Sequence, residues 1–529
     1  MLDRLLATWK LARPGTADLG GFSALLAERY GDRILLEDLW DPPGPLGRRR
    51  WTARELEHDV ARLAGGLREA GLADGALLLV LDNRVDLLVW LLATVRAGAI
   101  AVPVNARLEA EEIAIVAEAT GATAAVTDAE RHEVTAEAVA RVGTVEDLPS
   151  LGTPCPPGPP DPGRVAVYLT TSGTTGKPKA AALTSRGLLG PFGWLATMPV
   201  GRERGPRAQR DQVLSALPLT HVMGIAVGLG ALSAGVHWLH RPRFDAAALL
   251  DDLEALRPNV FVGVPTMYVD LEEAGAHARD LSSVQLWFSG ADRMPEDRAL
   301  RFQGLGASVV LAGRPLGRSA FVDTYGMVEL SGPAAVRIFL PSPDRLVLKT
   351  PHRLLPGVQA RAVDEQGAPM RWGRVGELAF RGPGVLRGYR GHARSGPDED
   401  GWFRSGDFGR VWPGGWFTFA GRRADRLKVC GFSVFPAEVE AKLITAPQVR
   451  EVALVGVPDA RMGERPVAVV VPEDGFDRGA FLAWAEQHVA GYRRPREVVL
   501  LDALPRGPNG KIDRRAATRR ATEAPPVTG

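Results

Sequence analysis

The chain has 529 residues, 45% hydrophobic and 24% charged, and its 64 Lys and Arg nearly cancel 62 Asp and Glu. That length supports several cores, and a formal net charge of +2 provides no basic stripe for nucleic acid, so small molecules are the expected partners. The cysteines, Cys155 and Cys430, are too few for a disulfide framework and lie in no CxxC or Cys/His cluster, which disfavours zinc and fits a reducing cytoplasm.

In chain order, "MLDRLLATWKLARPG" has mixed charge and no signal-peptide core. "ARELEHDVARLAGGLREAGL" has helical spacing and ends in glycine, "GALLLVLDN" is a buried-strand run, and "VDLLVWLLATVRAGA" returns to helix. The apolar stretches 87–104 and 224–239 are broken by Arg96 or too short and Gly-rich to span a bilayer, and read as buried helices running into strands. No transmembrane segment is expected, although a lipid-like substrate would leave peripheral membrane contact open. "AAVT", "VLSALPL", "NVFVGVP" and "QLWFSG" repeat the strand pattern between helix-length segments, the signature of α/β architecture with helix-covered parallel sheets. "TPCPPGPPDPG" (153–163) is a stiff connector. Around 340–420, "GVQARAVDEQG", "GELAFRG" and "GWFTFAGR" predict a small antiparallel β subdomain. A small α+β domain follows, with the boundary expected between 422 and 423 and a disordered tail beyond about 517.

One loop stands out. Lysine occurs only at 10, 177, 179, 349, 428, 442 and 511, yet "YLTTSGTTGKPKA" (168–180) holds two of them among glycines and hydroxyls. Lys is a compact, movable point charge that Arg does not replace. Glycines let backbone N–H groups approach an anion, the hydroxyls of Thr171, Ser172, Thr174 and Thr175 can donate, and Lys177 adds charge. The following "LTSRGLLG" reads as a helix entry, and the loop itself looks made for phosphate. The spacing of Gly173, Gly176 and Lys177 is not that of an NTPase P-loop.

The loop resembles the signature of the adenylate-forming superfamily, which includes acyl-CoA synthetases, and further stretches match in the family's order. They are "LPLTHVMG" (217–224), "VGVPTMY" (262–268), "FSGAD" (288–292), "TYGMVE" (324–329), "GELAFRG" (376–382), "GWFRSGD" (401–407), "GRRADRLKVCGFSVFPAEVE" (421–440) and "PRGPNGKIDRR" (505–515). The resemblance implies an ATP-dependent carboxylate–thiol ligase. A carboxylate attacks the α-phosphate of ATP to give acyl-AMP and pyrophosphate, and CoA then displaces AMP. It implies an N-terminal domain 1–422 for ATP and acid and a mobile cap 423–529. By the same resemblance, residues 171–177 surround the β- and γ-phosphates, and Glu329 ligates Mg²⁺. Tyr325 and Gly326 lie beside the nucleotide, Gly290 and Ala291 lie near the adenine, Asp407 accepts the ribose hydroxyls, and Arg422 supports the sugar. Lys511 contributes the ammonium that stabilises charge building between α-phosphate and attacking carboxylate, Gly431 lines the thiol tunnel, and the hinge falls near Ala424–Asp425. His221 matches a position that lines the acyl pocket and gates the carboxylate.

Departures bear on the substrate. Val328 replaces a frequent Thr and loses a phosphate-facing hydroxyl, a change that costs on the order of 1.5–3 kcal/mol. Thr324 replaces a frequent Gly and narrows the acyl pocket, and Ala424 replaces the usual polar hinge residue. "LTHVMG" offers no carboxylate for an amino-acid ammonium, which favours a hydrophobic or aromatic acid. Met223, Trp287 and Phe288 are candidate pocket walls. Two alternatives stand beside the acyl-CoA synthetase: an acyl-AMP ligase loading the phosphopantetheine of an acyl carrier protein, and a nucleotide-binding homologue with weakened catalysis.

Overall fold

The computed structural model describes residues 10, 16–148, 152–172, 178–192, 211–311, 314–339, 351–391, 396–430, 432–459, 461–489, 491–506 and 512–523, without the side chains of Ser172, Val310, Leu311 and Ser433. The chain divides into two compact units, Met1–Gln359 with Arg381–Phe403, and Ala360–Phe380 with Arg404–Gly529. The segment 360–422, apart from 381–403, thus groups with the C-terminal part.

In the first unit, one sheet runs in the order Arg141–Thr144, Ala124–Thr127, Ala76–Leu81, Ile100–Asn105, Val165–Ser172, Pro178–Thr184. All its pairs are parallel except the last. A second set of paired strands has a parallel centre from Ala320–Met327 through Leu286–Ser289, Val260–Gly263, Gln212–Ser215 and His237–His240 to Ile34–Asp38. Antiparallel strands Gly332–Phe339 and His352–Leu354 flank one side. The expected helix–strand alternation is present: the capping box of Thr52 and Glu55 starts the helix Ala53–Glu69, and the apolar run 87–104 becomes the helix Val85–Ala97 followed by the strand Ile100–Asn105. Arg96, the residue that interrupts that run, is buried and pairs with Glu57 at 2.7 Å, which compensates its charge. Among the described residues, no helix is long and apolar enough to cross a membrane.

The strand Phe403–Trp412, which enters the second unit at Arg404, and the strand Trp416–Arg422 form an antiparallel hairpin, as the turn-rich sequence predicts. Beyond it, Val449–Asp459 and Gly463–Pro472 centre a sheet whose alternating residues feed two cores. Val452, Leu454, Ala468 and Val470 meet Val439, Leu443 and Phe481 on one face; Ala453, Val455, Val467 and Val469 meet Ala517 and Ala521 on the other. This period of two buries both faces of the sheet. The expectation of a disordered tail beyond 517 is corrected: Arg514–Glu523 is a helix, with Ala517 fully buried. Its composition is too polar to show this, because two alanines a turn apart supply the whole apolar stripe.

Candidate active site

The glycine–hydroxyl loop sits on a β-hairpin. Val165–Ser172 and Pro178–Thr184 pair antiparallel from Val165↔Thr184 out to Ser172↔Pro178, so the ladder runs to the edge of 173–177. Gly173, Thr174, Thr175, Gly176 and Lys177 lie outside the described residues, and Thr171 and the Ser172 backbone are the last of the lead-in strand. The helix entry read at "LTSRGLLG" is present, but a strand separates it from the loop. The chain after the loop is a strand, and the helix Ser185–Leu189 begins only after Thr184.

A second group gathers at the end of the strand Ala320–Met327, which carries Thr324, Tyr325 and Gly326. Its register with Gly332–Phe339 slips between Tyr325 and Gly326, and a Cβ on Gly326 would stand 2.2 Å from the Gly332 carbonyl oxygen, so only glycine fits. Thr324 Oγ1 donates to the Ser289 carbonyl at 3.0 Å. A Cβ on Gly290 would meet that hydroxyl at 2.3 Å and Met223 Cε at 3.1 Å. Thr324 therefore fills the space beside Gly290. Ala291 holds φ of 68°, a left-handed conformation that strains an alanine and keeps the turn after Gly290 tight. His221 is exposed at the N-cap of the helix Val222–Ala234, whose first turn brings Met223 to Gly290. Trp287 is no pocket wall: it is fully buried and packs edge-on against Phe261 at 5.8 Å and Phe302 at 5.1 Å. Strand alternation sends Trp287 and Phe288 to opposite faces, and the spacing alone does not say which faces the core.

Glu329 lies in the single turn Val328–Leu330, which directly follows this strand. Its Oε1 accepts a 2.7 Å hydrogen bond from the hydroxyl of Tyr389, over whose ring Lys179 Nζ stands at 5.6 Å. Burial, and after it the Glu329 charge, push the Tyr389 hydroxyl above the ordinary phenol range, so it stays a donor. Behind Tyr325, His352 lies at a ring distance of 6.2 Å. Burial, then the Arg337 and Arg293 charges, hold His352 down to about 3, neutral at working pH. Asp323 is pushed up to about 6 by burial, against the pull of Arg337, which bonds it at 2.8 Å.

The remaining candidates belong to the second unit. Asp407 and Arg422 are directly opposed across the hairpin, with Arg422 Nε 3.6 Å from Asp407 Oδ1. Asp407 is buried while Arg422 is exposed. The turn before Asp407 is held by Glu377, which accepts from Gly406 N at 3.1 Å, Arg404 Nε at 2.8 Å and Arg423 Nη2 at 2.5 Å. Gly431 lies outside the described residues between the paired strands Leu427–Val429 and Phe432–Val434, and Cys430 before it is exposed at φ 50°. Lys511 also lies outside the described residues. Its neighbour Ile512 bridges to Arg506, Asp513 N donates to the Pro505 carbonyl at 2.8 Å, and Arg514 bonds Glu440 at 2.6 and 2.8 Å and the Leu454 carbonyl at 3.1 Å.

Sequence reasoning missed Tyr389, Asp323–Arg337 and Glu377. Tyr389 lies in "LRGYRG", a turn-like stretch with no chemical signal; only the fold sets it against Glu329.

These units, with their ordered blocks, define a ligase of the adenylate-forming class. The chain belongs to the AMP-binding enzyme family: that family's model matches residues 25–390, and the model for the AMP-binding enzyme C-terminal domain matches 438–511. It is 34% identical over 484 residues to a feruloyl-CoA synthase of Amycolatopsis sp, covering 89% of this chain and 94% of that one. It is 34% identical over 483 residues to an indoleacetate–CoA ligase of Aromatoleum aromaticum, covering 86% and 90%. The ATP-bound crystal structure of MatB from Rhodopseudomonas palustris aligns with a TM-score of 0.79 at 26% identity, covering 96% of this chain and 99% of that one. The chain is thus an acyl-CoA synthetase, an ATP-dependent ligase that releases AMP and pyrophosphate.

Proposed function

We propose that this synthetase activates an aromatic or arylalkanoic carboxylic acid and transfers it to CoA. The observation that carries the reading is the similarity, across nearly the whole chain, to ligases named for feruloyl and indoleacetyl substrates. The absence of a carboxylate in "LTHVMG" agrees with it, since a buried substrate ammonium would have no partner there. Thr324 against Gly290 supports a flat substrate, because it occupies the width beside the glycine.

In the first half-reaction the substrate carboxylate attacks the α-phosphate. Residues 171–177 hold the outgoing phosphates, and Lys511 stabilises charge at the reacting oxygens. Tyr325, Gly326, Gly290 and Ala291 bound the nucleotide, Asp407 accepts from the ribose and Arg422 supports it. His221 stands at the acid's way in. The cap proposed for 423–529 then exchanges Lys511 for the turn at Gly431, where CoA sulfur attacks the acyl carbonyl and AMP leaves. Cys430 takes no covalent part, because the mixed anhydride is already activated.

Mg²⁺ is part of this proposal. Among the described residues, no three His, Cys, Asp or Glu converge on a metal. A lone Glu329 suits an ion that arrives on a triphosphate, because Mg²⁺ keeps waters and needs one or two carboxylates beside phosphate oxygens. Bound there, the ion neutralises phosphate charge. A cytoplasmic location also belongs to the proposal, since ATP and CoA are consumed together.

The test is ATP–pyrophosphate exchange over a carboxylate panel, followed by thioester detection with CoA. Hydroxycinnamic and arylacetic acids should exceed short aliphatic acids by at least about tenfold, the span of one or two kcal/mol of apolar burial. Faster exchange with aliphatic acids would overturn the aromatic assignment.

A further inference from the structure

We propose that Tyr389 is a positioning residue for the adenylation step: it holds the Glu329 carboxylate and links it to the strand that returns from the phosphate loop. The proposal rests on the reading of Glu329 as the carboxylate for Mg²⁺. Three sets of contacts define the link. Residues 387–390 pair with the return strand: Arg387 N donates to the Ala182 carbonyl at 2.8 Å, Ala182 N to the Gly388 carbonyl at 2.9 Å and Arg390 N to the Ala180 carbonyl at 3.0 Å. One residue upstream, Leu386 N donates to the Glu329 carbonyl at 2.9 Å. From this backbone, braced on both sides, the Tyr389 hydroxyl reaches Glu329 Oε1 at 2.7 Å while Lys179, on the return strand itself, stands over its ring at 5.6 Å.

The arrangement has a chemical consequence. A carboxylate that accepts one short hydrogen bond loses its freedom to swing, and its second oxygen is presented in one direction. A phenol donor is neutral, so it orients Glu329 without cancelling the charge that a divalent cation needs. Because Tyr389 is carried by backbone paired to the return strand, the carboxylate and the base of the phosphate loop keep a common reference. An arginine or lysine at 389 would position the carboxylate equally well but compete with the cation.

The experiment compares full-length wild type with Tyr389→Phe, Glu329→Gln and the double variant. ATP binding is followed by calorimetry over stepped Mg²⁺ concentrations, alongside thermal unfolding and pyrophosphate exchange. Tyr389→Phe removes one oxygen and should leave the unfolding temperature unchanged. The Mg²⁺ concentration for half-maximal ATP affinity should rise about tenfold, the scale of one charge-assisted hydrogen bond. In the Glu329→Gln background the same change should add nothing, because the coupling runs through that carboxylate. If Glu329→Gln shifts the Mg²⁺ dependence and Tyr389→Phe does not, or if the two effects add, the positioning role is wrong. If Glu329→Gln itself leaves the Mg²⁺ dependence unmoved, the underlying reading of Glu329 fails, and the two failures are thereby told apart.

Discussion

The segments 173–177 and 507–511 contain Lys177 and Lys511, the two lysines to which the proposed chemistry assigns roles, and their stems are built differently. The first stands on a continuous antiparallel ladder from Val165↔Thr184 to Ser172↔Pro178. The second stands on one isolated bridge, Arg506↔Ile512, reinforced by the Arg514–Glu440 pair. Backbone ladders tolerate side-chain substitution, whereas a stem held by one bridge and an ion pair depends on particular side chains. A loop that only has to release pyrophosphate can be fixed at its base. If Lys511 serves only the first half-reaction, as proposed, it is better carried on a separate unit, positioned by contacts within that unit.

The sharpest way to probe the second unit's share of the chemistry is Asp407→Ala. The buried carboxylate opposite Arg422 is the proposed ribose acceptor, so KM for ATP should rise about 100-fold, the upper range for charged hydrogen bonds, in exchange assays. The variant should also lose the wild type's preference for ATP over 2′-deoxy-ATP. A retained preference would remove Asp407 from the ribose site.

Acid should separate the two units next. In the first, His240 and His352 are held down to about 4 and about 3, chiefly by burial; the second unit's only histidine, His488, is exposed. Both folded values lie below the ordinary 6.5, so the neutral rings stabilise the first unit above that pH, and the contribution is lost as pH falls from 6.5 toward 3. His352→Leu should reduce the stability lost between about pH 6.5 and 4.5 by about 2 kcal/mol, as measured by urea unfolding. An unchanged pH profile would show that His352 protonates freely in the fold.

Arg514→Ala tests the stem directly. Removing it leaves Glu440 without its cationic partner, with only the Leu454 N–H still donating to it, and adenylation should fall about tenfold with a stability loss of about 2 kcal/mol. Thioester formation from supplied acyl-AMP should be spared. Equal losses in both half-reactions would mean that the ion pair supports the unit as a whole rather than the position of Lys511. Smallest of all, Cys430→Ser should change thioester formation by less than about twofold, because an exposed thiol beside the turn has no covalent role in anhydride chemistry. A collapse of the second half-reaction alone would reverse that conclusion.

Much of this organisation can be read from residue order, and the exceptions have physical causes. Alternation of "VREVALVGV" reveals a two-faced strand because its period is two, and the capping box at Thr52 marks a helix start by chemistry alone. The phosphate loop announces itself through glycine, hydroxyl and lysine content, yet its hairpin does not: "PKAAALT" is as compatible with a helix as with a strand, and tertiary pairing decides. Tyr389 and Glu377 were hidden for another reason. Each acts through partners far along the chain, Glu329 in one case and Arg404 and Arg423 in the other, and no local pattern records such distances. Trp287 shows the reverse error, since alternation identifies two faces without saying which one is core.

The most direct measurement is the pair of half-reactions in Lys511→Ala. Pyrophosphate exchange should drop by about 10³, the scale for removing one preorganised charge from a transition state. Conversion of supplied acyl-AMP and CoA to thioester should stay within a fewfold of wild type. If both half-reactions survive, or if both fail together, a lysine dedicated to adenylation is not how this enzyme divides its work.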